Sequence, residues 1–193
     1  MDAVDLDYAL LRRLSRGDHG AMAELMARHQ DRVYRLALRL LRQPQEAEDA
    51  SQEVFLKAYL NAQRFVPSST VAAWLNRITA NHCLNLLRSR ARRKEVSWDD
   101  LETTSHAADG AVMATDSGNP LNHLTGQECA AGLQAALSAL PENQRQALIL
   151  KRFGDFSYQE IGEMLGVSPA AVDGLIKRAR QKLRQALRDY SEG

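Results

Sequence analysis

Cysteine is scarce in this chain. Cys83 and Cys129 are the two present among 193 residues, and they form no CxxC pair. That argues against a disulfide framework and for a reduced, cytosolic setting. His82 directly precedes Cys83. On a helix the two would point about 100° apart, a poor arrangement for a shared metal, so no metal site is expected. Long apolar runs are also missing, which leaves no candidate for a membrane-crossing helix. The opening "MDAVDLDYALLRR" is acidic before it is apolar, unlike a secretory signal. A cytoplasmic location is the expectation. There is no Gly-rich phosphate loop and no HExxH, and no residue set looks catalytic. An enzyme, a cofactor and a small-molecule substrate are therefore not expected.

Charge of one sign is missing from a whole segment. Residues 95–140 hold seven acids and not one Lys or Arg. Residues 1–94 carry 16 Lys/Arg against 10 Asp/Glu, and residues 141–193 carry 9 against 7. The formal net charge of +1 thus hides two basic ends around an acidic middle. That pattern suits two modules facing a polyanion, joined by a segment that does not.

What is present is helical periodicity. Between 18 and 42, Met22, Leu25, Met26, Val33, Leu36, Ala37, Leu40 and Leu41 recur at spacings of three and four. Asp18 is the expected N-cap, and Pro44 lies just past the end. Pro44 also suits the first position of a second helix, expected to reach Asn61. "FVPSS" at 65–69 is a break, after which Ser69 or Thr70 can cap a helix with Trp74, Leu75, Ile78, Leu84 and Leu87 on its apolar side. That helix runs into the basic tract "RSRARRK" at 88–94. Residues 95–125 lose periodicity and read as a linker, with an irregular packed loop as the competing reading. Helices are expected again at 124–139, 141–153, 157–165 and 169–188. "SYQE" at 157–160 has capping-box spacing, Gly166 suits a helix C-terminus, and Ser168-Pro169 supplies an N-cap and a first-turn proline. Two helices about a glycine turn, the second long and basic, form a helix-turn-helix signature. No strand pattern is evident. The expected fold class is all-α: two small helical domains, 1–94 and 124–193, joined by a flexible acidic linker at 95–123.

The stretch "LPENQRQALILKRFGDFSYQEIGEMLGVSPAAVDGLIKRARQKLR" resembles region 4 of a bacterial sigma factor. "EAEDASQEVFLKAYLNAQRF" followed by "SSTVAAWLNRITANHCLNLLRSRARRK" resembles region 2. Both in this order, with a short linker, resemble the extracytoplasmic-function class of the sigma-70 superfamily. The resemblance implies promoter-specific initiation with core RNA polymerase, through its beta-prime clamp helices and beta flap. It also implies promoter DNA as ligand and control by an anti-sigma factor, often membrane-associated. Val71 and Ala72 depart from the family, which often has a larger apolar or aromatic residue and a basic one there.

Carried onto this sequence, the resemblance assigns Asp49, Gln52, Glu53 and Leu56 to polymerase docking. An acidic and amide face suits a basic coiled-coil partner; a merely solvated face is the bland alternative. Asn61, Arg64, Ser69, Thr70, Trp74, Arg77, Asn81, Asn85 and Arg88 are assigned to the −10 element. Arg77, Asn81 and Asn85 share one helical stripe, and Asn and Arg can meet base edges and phosphates. Arg88, Arg90, Arg92, Arg93 and Lys94 are expected to extend that positive surface toward phosphate. Core packing is the favoured reading of Trp74. Arg152, Ser168, Pro169, Ala170, Asp173, Gly174, Lys177, Arg178 and Gln181 are assigned to the −35 element. On the last helix Val172, Leu175, Ile176, Ala179, Leu183 and Leu187 form the apolar face. Ala170 and Gly174 permit close approach, and Lys177 and Arg178 follow a turn later. Asp173 is expected to pair with Lys177 at i,i+4, with cytosine N4 as a second possibility. Gly162 is expected to allow close helix packing. A free operator-binding regulator and a protein-only adaptor are the competing functional readings.

Overall fold

The structure is a computed structural model that describes residues 3–65, 69–96 and 135–191. All regular structure among these residues is helical. Two compact units are present. The first is built from α1 (Ala3–Ser15), α2 (Gly20–Leu41), α3 (Pro44–Asn61), a short 3-10 turn (Ala62–Arg64) and α4 (Val71–Val96). The second contains α5 (Glu142–Phe153) up to Arg152, α6 (Tyr158–Leu165) and α7 (Pro169–Ser191), while Phe153–Asp155 group with the first. The expected linker lies almost wholly outside the described residues, as do Cys129 and residues 66–68 of the expected break. Of the helix expected at 124–139, residues 135–139 are described; 135–138 are helical and 139 is in a turn.

In the first unit, α2 packs against α1, α3 and α4. The core gathers Leu10, Leu25, Val33, Val54, Val71 and Leu75, each almost fully buried. Deleting such a leucine side chain costs about 2–5 kcal/mol, a large part of the stability of a domain this size. Polar contacts fix α1 in place. Asp7 Oδ1 accepts from Arg28 Nε at 2.7 Å, and Asp7 Oδ2 lies 2.9 Å from His29 Nε2. Tyr8 donates its hydroxyl to the Ser69 carbonyl at 2.9 Å, tying α1 to the chain two residues before α4.

The helix ends follow local chemistry. Pro44 stands in the first turn of α3, and the helix ends at Asn61 as expected. Asp18 supplies the capping contact of α2, as expected. His19, the residue before Gly20, is itself helical and makes no side-chain cap bond. Asp18 Oδ1 accepts from the Gly20 amide at 3.0 Å, while Oδ2 takes Arg13 Nε at 2.8 Å. That hydrogen bond to Arg13 holds the Asp18 carboxyl below its usual range. The carboxylate serves an ion pair and the helix start at once.

Cys83 on α4 is fully buried, and burial pushes its thiol up to about 12. A thiolate is the reactive form, so Cys83 is inert at neutral pH. With Cys129 replaced by serine, a maleimide at pH 7 is expected to leave native protein unlabelled and to label it fully in denaturant. Labelling of the native chain at the rate of a free thiol would show that this face of α4 opens.

In the second unit, Ser157 and Glu160 form the expected capping box. Glu160 N donates to Ser157 Oγ at 3.2 Å, and Ser157 N donates to Glu160 Oε2 at 2.9 Å. Gly166 ends α6 in the left-handed region at φ 69°, where glycine carries no Cβ penalty. Ser168 then caps α7, accepting from Ala171 N at 3.2 Å, with Pro169 first in the helix. α6 packs on α7, with Ile161, Met164, Val172, Ile176 and Ala179 buried.

Gly162 is what lets this turn close. A Cβ there would stand 2.7 Å from the Val167 carbonyl oxygen, an atom held by its own backbone. Gly162→Ala is therefore expected to destabilise the helix-turn-helix by about 1–3 kcal/mol, read as a lower Tm by calorimetry. An unchanged Tm would mean that the turn shifts at no cost.

Candidate polymerase and nucleic-acid interfaces

α3 buries Ala47, Ala50, Val54, Phe55 and Ala58 against its unit. The opposite side is left to solvent. At 100° per residue, Asp49, Gln52, Glu53 and Leu56 share an arc of about 100°, and all four are exposed. The sequence reading missed Leu60. It falls inside the same arc, one turn beyond Leu56, and is the most exposed large apolar residue described, at 68% against 51% for Leu56. The i,i+4 step from Leu56 was the available signal. Two exposed leucines among carboxylates make a surface both apolar and acidic, which suits a basic, amphipathic helical partner. Beside this arc Lys57 Nζ lies 2.5 Å from His82 Nδ1. Burial, then the nearby Lys57 charge, lowers the His82 pKa and favours the neutral ring.

The −10 candidates separate into groups. Arg77, Asn81, Asn85 and Arg88 are all exposed and fall on one side of α4. Arg88 Nη1 donates to Asn85 Oδ1 at 2.8 Å, which positions the two as a unit. Arg64 is exposed in the 3-10 turn. Thr70 has a structural task, its Oγ1 accepting from Ala73 N at 3.2 Å at the start of α4. Asn61 donates its amide to the Lys57 carbonyl at 2.8 Å. Trp74 is half-buried and packs edge-on against Phe65 at 5.1 Å between centroids, and Phe65 lies 5.8 Å from Tyr8. Core packing thus takes much of Trp74, as expected, within an aromatic cluster whose other members went unassigned.

The basic tract is not uniformly available. Arg90 turns inward to an ion pair with Glu46 of α3, with both side chains largely covered. Its expected part in the positive surface is therefore corrected to a tie between helices. Arg92 and Arg93 are exposed; the side chain of Lys94 lies outside the described residues.

α7 presents the −35 candidates. Ser168, Pro169, Ala170, Lys177, Arg178 and Gln181 are exposed, as is Arg152 near the end of α5. The expected apolar face is present in Val172, Ile176 and Ala179, all buried, and in the half-buried Leu175 and Leu183; the side chain of Leu187 lies outside the described residues. Asp173 pairs with Lys177 at 2.8 Å, the expected i,i+4 bridge, and raises the lysine pKa through that hydrogen bond. Gly174 differs from expectation. The Arg178 guanidinium folds over it, with Nη1 3.3 Å from where a Cβ would stand. The bare backbone seats an arginine of the same helix, one turn along, and that arginine covers the close-approach surface expected there.

An all-helical protein with a helix-turn-helix in one unit and an exposed Arg/Asn stripe in the other is a nucleic-acid-binding protein in design. The chain matches the family model "Sigma-70 region 2" over residues 25–93 and "Sigma-70, region 4" over residues 130–183. It is 30% identical over 180 residues to the ECF RNA polymerase sigma factor SigW of Bacillus subtilis, covering 93% of this chain and 95% of that protein. It is 40% identical over 179 residues to SigE of Mycolicibacterium smegmatis, covering 91% of this chain and 66% of that longer protein. The solved structure of CnrH in complex with the cytosolic domain of CnrY matches with a TM-score of 0.59 and 26% identity, over 96% of this chain and 99% of that one. The sigma factor RpoE of Bartonella quintana, solved with the anti-sigma factor NepR, matches with a TM-score of 0.58 at 23% identity, over 86% of this chain and 96% of that one. This chain belongs to the ECF sigma factors of the sigma-70 family.

Proposed function

We propose that the chain is a promoter-specificity subunit that binds core RNA polymerase through α3 and reads promoters with α4 and α7. The observation that carries this reading is the pairing of surfaces on one chain. A free operator-binding regulator needs α7 but gives the acidic and apolar arc of α3 nothing to do. A protein-only adaptor leaves the Arg/Asn stripe of α4 unexplained. Asp49, Gln52, Glu53 and Leu56, with Leu60 added, dock on the beta-prime clamp helices. Arg77, Asn81, Asn85 and Arg88 meet the −10 region, with Arg64, Ser69 and Trp74 at its border. The Thr70 and Asn61 side chains chiefly shape that border.

On α7, Lys177, Arg178 and Gln181 meet the −35 element, with Ala170 and the Ser168-Pro169 helix start against the major groove. Arg152 meets the DNA backbone. The domain division 1–94, 95–123 and 124–193 follows the same division of labour. Control by an anti-sigma factor follows from the family resemblance, and the Bartonella quintana structure shows this fold held by one. No helix among the described residues is long and apolar enough to cross a membrane, and we place the working protein at the polymerase, in the cytoplasm.

The test is a binding titration in two arms. Labelled chain is expected to bind core polymerase tightly and a promoter fragment alone only weakly. Tight, specific DNA binding without polymerase, and none to polymerase, would instead identify an operator-binding regulator.

A further inference from the structure

Gly174 stands inside α7 with no turn to make. The left-handed glycines among the described residues are Gly17 and Gly166, so the helical backbone at 174 would suit any helix-forming residue. A glycine inside a helix weakens it relative to alanine. Something other than backbone conformation therefore calls for it. The atoms nearest to where its Cβ would stand all belong to Arg178: Nη1 at 3.3 Å, Nη2 at 3.7 Å and Cζ at 3.8 Å. The guanidinium lies on the bare backbone and leaves Gly174 only partly exposed.

That seat changes where the charge stands. Gly174 falls nearly opposite the buried Val172, Ile176 and Ala179, at the middle of the outward face of α7, whereas Arg178 is about 40° to one side. Arg178 also begins roughly two and a half turns into the helix. Folded back over Gly174, its guanidinium stands about 6 Å nearer the N-terminal end. The N-terminal part of a recognition helix meets base edges, and later residues meet the DNA backbone. The first turns of α7 carry no cation of their own, and Lys177 is held by Asp173 at 2.8 Å. Arg178 on its glycine is thus the guanidinium delivered to the reading end.

We propose that Gly174 is a positioning residue: it seats Arg178 so that the guanidinium reads a base edge of the −35 element rather than a phosphate beside the groove. The proposal rests on the function proposed above. The base is a guanine, whose O6 and N7 present two acceptors to the paired donors of a guanidinium. A side chain at 174 would lift the guanidinium off the helix, and a two-point contact tolerates little displacement. Lysine at 178 would not serve, because it carries a single flexible point charge without the planar fork.

The experiment is the −35 base preference of reconstituted holoenzyme, measured by binding to promoter fragments that carry each of the four bases at each −35 position in turn. The wild-type chain is expected to prefer guanine at one position by about tenfold. Gly174→Leu, which fills the seat, is expected to cut that preference to about threefold or less. Core binding should be unchanged, and the Tm equal or higher, because leucine suits a helix better than glycine. Gly174→Ala, which moves the guanidinium by only a few tenths of an ångström, is expected to lie between. In an Arg178→Ala background, Gly174→Leu is expected to change the preference no further, the mark of two residues acting as one. A guanine preference that survives Gly174→Leu would overturn the inference. So would a loss of binding of the same size with and without Arg178, which would make the glycine a clearance for the DNA itself. Wild-type holoenzyme indifferent to every −35 substitution would count against the proposed function, and the inference would fall with it.

Discussion

Reversing Asp49 and Glu53 to lysine is expected to weaken binding to core polymerase roughly thirtyfold, about 2 kcal/mol, while leaving the Tm within a degree or two. Both carboxylates are exposed on the side of α3 away from its buried alanines, so no core contact is lost. The size follows from replacing attraction by repulsion at two points of the surface proposed to dock on a basic helix pair. Leu56→Ala/Leu60→Ala should weaken binding too, through lost apolar contact that is insensitive to salt. The charge reversals should lose part of their effect in high salt, because exposed charges are screened over about 10 Å at 0.1 M. Equal affinity of the charge-reversed chain, measured by fluorescence titration, would move the docking face off α3.

Lys177→Ala/Arg178→Ala is expected to lower initiation at a −35-dependent promoter at least tenfold, with core binding intact. A good contact to a base edge is worth about 1–3 kcal/mol in discrimination, so losing two exceeds tenfold. The pair differ in their local ties. Lys177 is already held by Asp173, while Arg178 lies across Gly174. Losing Lys177 alone therefore also leaves Asp173 unpaired near the groove. Asp173→Asn separates the two roles of that carboxylate. If it serves only the ion pair, promoter preference is unchanged. If it accepts from a cytosine, preference at one −35 position relaxes. Equal initiation by the Lys177/Arg178 double variant would remove α7 as the reading helix.

Legibility in the sequence tracked the range of the forces involved. Pro44, the Ser157–Glu160 box, Gly166 and Ser168-Pro169 act over three or four residues, and each stands where the local rules put it. The outward arc of α3 and the Asp173–Lys177 bridge were legible for the same reason, since helical periodicity alone sets them. Helix α1 was not anticipated. Its place depends on Asp7 meeting Arg28 and His29, and on Tyr8 reaching Ser69, contacts 21 to 61 residues apart. Arg90 was taken as part of the basic surface because its neighbours are arginines, yet Glu46 on another helix claims it. Gly174 is the exception in range, since the Arg178 that covers it lies one turn along the same helix, and the choice of side-chain conformer is what periodicity leaves open.

The most direct measurement is run-off transcription with purified core polymerase and this chain, on a template bearing its −35 and −10 elements and on copies with either element scrambled. Initiation from the intact template, with strong loss when either element is scrambled, is the expected result. Transcription indifferent to both elements, or no transcription beyond that of core polymerase alone, would contradict the assignment of promoter recognition to α4 and α7.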